Sequence, residues 1–73
     1  MLHARIEMNP NIMDGKPVVR GTRVPVELVL RKLGAGMSPE AILVDHPRLT
    51  HADIQAAQAF VADYLADEDI VYG

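Results

Sequence analysis

The chain of 73 residues contains no cysteine and no tryptophan, and its aromatic side chains are Phe60, Tyr64 and Tyr72 alone. Without cysteine there is no disulfide, no thiol nucleophile and no thiolate metal ligand. A domain of this length buries only about 60% of the surface its unfolded chain exposes. Disulfides, a metal or a second subunit usually help such a domain fold. Disulfides are excluded, and His3, His46 and His51 show no ligand-like spacing. A homodimer is therefore expected. Long hydrophobic runs are also missing. The longest apolar runs have four residues, as in 41–44, against the ~20 that a membrane span needs. The start, MLHARIEMNP, lacks the apolar stretch of a signal peptide. A cytoplasmic protein without membrane contact is expected.

Catalytic equipment is equally sparse. Ser38 is the only serine, and its place before Pro39-Glu40 reads as a helix cap. Asp14-Gly15-Lys16 lacks the spacing and the hydroxyl residue of a phosphate-binding loop. His46 and His51 are separated by Pro47 and do not form a pair on one helix face. Asp63 and Asp67 are an i, i+4 like-charge pair at a helix end, an ordinary solvated surface rather than a hard-cation site. The expectation is a binding protein and not an enzyme, with no cofactor, no metal and no small-molecule substrate.

What is present is aliphatic: 49% of residues are hydrophobic, so Val, Leu, Ile, Ala and Met must build the core. Net charge is −3, unevenly spread: residues 1–36 carry six basic and three acidic side chains, residues 37–73 one basic and seven acidic. This asymmetry fits two different partners as well as it fits a simple solvated surface.

Leu2, Ala4, Ile6 and Met8 alternate with polar residues, the period of a half-buried strand. Asn9-Pro10-Asn11 breaks it, and Asp14-Gly15 marks a turn with positive φ. Lys16 to Arg20 reads as a second short strand, with Pro17 at a sheet edge. Pro25 suits the first turn of a helix, and Val26, Val29, Leu30 and Leu33 follow helical spacing up to Gly34 and Gly36. Ser38-Pro39-Glu40 starts a second helix that must end near Asp45 or His46, because Pro47 follows. Thr50 and Asp53 form a capping box opening a third helix. Its face comprises Ile54, Ala57, Val61, Tyr64 and Leu65, and its alanines (52, 56, 59, 62 and 66) leave a second face of small side chains. The expected fold is one domain, mainly α. A β-hairpin or ribbon arm (1–24) precedes a three-helix, homeodomain-like helix–turn–helix core (25–66), and an acidic then apolar tail (67–73) follows.

Lys16, Arg20 and Arg23 cluster around Gly15 and Gly21, where they can reach phosphates or serve as ordinary surface charges. Arg48 is the one Lys or Arg of residues 37–73. The third helix exposes His51, Asp53, Gln55, Gln58 and Asp63 and offers Gln55 for a base edge, but no cation. The nucleic-acid candidates are therefore Lys16, Arg20, Arg23, Arg48 and Gln55. The tail is either a loose end or a docking segment. Its candidate partner-binding residues, with the preceding helix turn, are Tyr64, Asp67, Glu68, Asp69, Ile70 and Tyr72.

Three stretches occur together in order: Gly15-Lys16-Pro17-Val18-Val19-Arg20-Gly21-Thr22-Arg23-Val24-Pro25, then Gly34-Ala35-Gly36-Met37-Ser38-Pro39-Glu40, then Pro47-Arg48-Leu49-Thr50-His51-Ala52-Asp53-Ile54. Over residues 5–66 this pattern resembles the family known as domain of unknown function 433, sometimes described as VapB-like antitoxins. The resemblance implies two short strands, a homeodomain-like helical core and a dimer. It also implies an antitoxin that binds and silences a PIN-like toxin nuclease from an adjacent gene and autoregulates on operator DNA. A stand-alone transcriptional regulator is the alternative. The tail beyond Ala66 departs from the family pattern. In the motif itself, Gly15, Pro17, Gly21 and Thr22 have a sufficient role as turn formers around a short strand.

Overall fold

The computed structural model describes residues 3–67. It is mainly helical: an antiparallel pair, β1 (Ile6–Glu7) and β2 (Val18–Val19), precedes α1 (Val26–Gly34), α2 (Pro39–Asp45) and α3 (His51–Asp67). All three helices pack against one another, and β1 lies against α3.

Both strands are shorter than their sequence patterns imply. Of the alternating N-terminal residues described, Ile6 is buried but Ala4 and Met8 are exposed. Residues 4 and 5 form a turn in which the Ile6 N–H donates to the His3 carbonyl. The ribbon has a two-residue partner because β2 folds back at once. The Val19 N–H donates to the Val24 carbonyl, Thr22 Oγ1 donates to the Val19 carbonyl and accepts from the Val24 N–H, and Val18 bridges to Pro25. Gly21 makes this reversal possible with φ +81°. The turn before β2 holds three consecutive left-handed residues, Met13, Asp14 and Gly15, one more than the Asp-Gly signal implies.

The helix ends follow the capping rules closely. Pro25 is the residue before α1 and not its first helical position, with extended ψ of 144°, and the Val26 N–H donates to the Pro17 carbonyl. At the far end Met37 N–H donates to the Lys32 carbonyl and Gly36 N–H to that of Leu33, with Gly36 left-handed, a Schellman ending. Ser38 Oγ accepts from the Ala41 N–H at α2. Thr50 and Asp53 exchange bonds of 3.0 and 3.2 Å at α3.

The core is aliphatic: Ile6 and Val19 from the ribbon, Val26 and Val29 from α1, Ile42 from α2, Leu49 from the turn, and Ile54 and Ala57 from α3. Past Ala57 the apolar stripe of α3 outruns this core, and Tyr64 and Leu65 are 55% and 50% exposed. Among the described residues no helix is long and apolar enough to cross a membrane.

Candidate functional site

The structure separates the expected cationic cluster into braces and a cleft. Lys16 leaves the cluster, since its ammonium donates to Glu27 on α1 at 3.0 Å. That hydrogen bond and charge, with a weaker contribution from Arg31, hold the Glu27 carboxyl below its usual range against the opposing effect of burial. Arg20 turns back onto the arm: Nε donates to the Ala4 carbonyl at 2.7 Å, Nη1 to Glu7 and Nη2 to the Ile6 carbonyl at 3.4 Å each. It ties the turn after β2 to β1, a role that the sequence pattern does not reveal.

Arg23 and Arg48, 25 positions apart in sequence, meet in space. They line one cleft of about 370 Å³ with Glu7, Ile12, Gly21 and Thr22. Arg48 belongs to the turn between α2 and α3, and its Nη1 reaches the Gly21 carbonyl at 3.4 Å. Gln55 is exposed one turn into α3. The expected exposure of Asp53 is corrected. It is 8% exposed because it accepts from both the Thr50 N–H and Arg5 Nη1, the latter at 3.1 Å.

A second concavity lies between the arm, α1 and the outer half of α3. It is an apolar groove of about 520 Å³ lined by Met8, Pro17, Val26, Leu30, Phe60, Val61 and Tyr64, with Glu27 and Arg31 also on its wall. Phe60 and Tyr64 stack, with ring centres 6.2 Å apart. His3 meets Phe60 edge-on at 5.5 Å and pairs with Asp63 at 3.0 Å, fastening the arm to α3. Sequence reasoning chose Tyr64 but missed Met8, Leu30 and Phe60. Helical spacing already put Leu30 on an apolar stripe, whereas nothing local signals that the arm crosses it. Asp67 closes α3, and the candidates Glu68, Asp69, Ile70 and Tyr72 lie outside the described residues. Among the described residues no group of three or more His, Asp or Glu side chains is placed to hold a metal ion.

These elements make a small helical domain with a β-ribbon arm and a capped α2–turn–α3 unit, and comparison with known proteins places it in a family. Residues 6–61 match the family described as "Protein of unknown function (DUF433)", and the chain belongs to that family. It is 42% identical over 69 residues to the uncharacterized protein y4eO of Sinorhizobium fredii, an alignment covering 93% of this chain and 31% of that protein. Its fold matches the crystal structure of a DUF433 member protein from Anabaena variabilis with a TM-score of 0.79 at 26% identity, over 89% of this chain and 64% of the other. The chain thus spans less than two thirds of the length of either relative.

Proposed function

We propose that this domain is a protein-binding module of the antitoxin type, acting in the cytoplasm, and that its apolar groove seats a segment of a toxin nuclease of the PIN-like class. The observation that carries the reading is the groove itself. Its rim brings exposed Met8 (64%) and Tyr64 (55%) together around Leu30, Phe60 and Val61, whereas the other large exposed apolar residues among those described, Met13, Val44 and Leu65, do not line it. A contiguous apolar concavity with stacked aromatics is the usual form of an interaction site. The charge of the neighbouring chain selects the partner. In the sequence no Lys or Arg follows Arg48, while Asp63, Asp67, Glu68 and Asp69 fall within seven positions. An enzyme that binds nucleic acid presents a cationic surface, and this acidic end complements it.

The test is co-purification of the tagged full chain with the product of the adjacent gene, together with the nuclease activity of that product. Capture with inhibition is expected, and both should be lost in Leu30→Asp and in Tyr64→Asp. A neighbour product that is not captured, or is captured equally by both variants, defeats the proposal. So does a groove occupied by a second copy, seen as a doubled mass in sedimentation that the same variants abolish.

A further inference from the structure

The cleft between the turn after β2 and the turn before α3 is a separate matter, since it shares no lining residue with the groove. We propose that Arg23 and Arg48 form a phosphate-binding site for the backbone of double-stranded DNA. This does not depend on the groove or its occupant.

The sequence holds seven Lys and Arg side chains. Five are held by carboxylates of the same chain: Arg5 by Asp53, Lys16 and Arg31 by Glu27, Arg20 by Glu7, and Lys32 by Asp45. Among the described residues Arg23 and Arg48 have no carboxylate partner. The two left over line the same cleft. The carboxylate beside them, Glu7, is already engaged by Arg20. The cleft thus holds two guanidiniums and one carboxylate that is already paired from outside it, and it is short of negative charge.

Its chemistry selects the ligand. Arg48 uses one of its N–H groups on the Gly21 carbonyl, at a long 3.4 Å. That contact aims the guanidinium while leaving most of its donors available. Planar guanidinium forks match phosphate oxygens better than a point charge does. At Gly21 nothing lies within 4 Å of where a Cβ would stand, so the backbone there is open to close approach. The placement selects duplex DNA over a small anion. Arg48 lies three residues before α3, whose first turns expose His51, Gln55 and Gln58, side chains that form hydrogen bonds and carry no negative charge. A helix with such a face, starting beside a phosphate anchor, is the arrangement by which a helix–turn–helix enters a major groove. Asp63 lies 12 residues beyond His51 along α3, about 18 Å at 1.5 Å per residue, so the carboxylate is well removed from the phosphate anchor at the start of the helix.

Fluorescence anisotropy of a labelled duplex from the chain's own upstream region tests this with the full chain. Two phosphate contacts predict a slope of log K against log salt near −1.8, hence about a tenfold loss of affinity between 50 and 200 mM salt. Arg23→Ala/Arg48→Ala should lose at least tenfold at 50 mM salt and flatten the slope, Arg23→Lys/Arg48→Lys should retain the slope, and Lys32→Ala should change neither. Circular dichroism of each variant confirms that it folds, as expected for two exposed residues. Amide shifts at Gly21, Thr22 and Arg48 on titration with inorganic phosphate, without any duplex binding, would overturn the DNA assignment. Tighter binding to a single strand, or duplex binding unchanged in the double alanine variant, would overturn it equally.

Discussion

Replacing Asp53 by alanine should destabilise this domain more than any other single change at a charged residue. Asp53 Oδ2 accepts from the Thr50 N–H at 3.0 Å and Oδ1 from Arg5 Nη1 at 3.1 Å, while its own N–H donates to Thr50 Oγ1. Loss of the box is a capping loss of about 1 kcal/mol. The Thr50 N–H is left without its acceptor in a partly buried site, which adds about 1 kcal/mol. The Arg5 link adds less than about 1 kcal/mol, because the Arg5 side chain is 54% exposed. Alanine returns a few tenths through its better helix propensity. The net loss is about 2 kcal/mol, out of roughly 4–11 kcal/mol in all for a chain of this length. Thermal unfolding followed by circular dichroism, at fixed protein concentration in case copies associate, should show Tm lowered by about 8–16 °C. Arg5→Ala alone should cost well under 1 kcal/mol. Thr50→Ala and Asp53→Ala should be strongly non-additive, with a coupling of ~1 kcal/mol. A fall in Tm of less than about 3 °C, or simple additivity of the Thr50 and Asp53 changes, would refute the account of α3's start.

Three further outcomes follow from local geometry. Gly34 is helical and Gly36 left-handed at φ +92°, with open space around both, so Gly34→Ala should stabilise and Gly36→Ala destabilise, each by about 1 kcal/mol; urea midpoints moving in the same direction would contradict this. His46 Nε2 is buried without a partner among the described residues, so His46→Leu should raise the urea midpoint by the equivalent of about 1 kcal/mol, and a lower midpoint would show that the ring is better satisfied than its geometry implies. The folded-state pKa of Glu27 is lowered by Lys16, so its contribution is present above the ordinary carboxylate pKa and lost as pH falls through the lowered one. The Tm gap between the wild type and Glu27→Gln should be open at neutral pH and close in acid, and a gap constant across that range would rule the pair out as its cause.

The parts of the fold legible in the sequence are those that local chemistry decides. Ser38, Thr50 with Asp53, and Gly36 each occupy the cap that their residue type favours, because a cap satisfies backbone groups within three or four residues of itself. The stripe on α1 likewise needs only helical spacing. The strands were legible as elements and not in length. Alternation shows which side of a segment is buried, but the length of a ribbon depends on its partner, and β2 turns away at Gly21 to bridge to Pro25. The charge contacts were the least legible. Arg5 finds Asp53 across 48 positions and His3 finds Asp63 across 60. Nothing in either neighbourhood marks these residues apart from other surface charges. For the same reason Lys16, Arg20 and Arg23 read as one cluster, although folding assigns them to α1, to β1 and to the cleft.

These contacts also change what the charge asymmetry of the sequence means. A basic front half and an acidic back half suggest a molecule with two oppositely charged ends. Folding joins the halves through Arg5–Asp53, Lys32–Asp45 and His3–Asp63, and the front half neutralises two more of its own cations through Lys16–Glu27 and Arg20–Glu7. The pairs across the halves absorb part of the asymmetry, and the pairs within the front half leave few of its cations free. Among the described residues, Arg23 and Arg48 remain without a carboxylate partner in one cleft, and Asp63 lies next to Tyr64 of the apolar groove on the outer half of α3. The two surfaces should respond differently to salt. Binding in the groove draws mainly on buried apolar area, which moderate salt leaves almost unchanged. Binding in the cleft draws on counterion release, which moderate salt strongly weakens. Raising salt from 50 to 200 mM in a mixture of chain, partner and duplex should release the duplex while the protein complex persists. Release of both together would mean that one electrostatic surface serves both ligands, and the division between groove and cleft would fall.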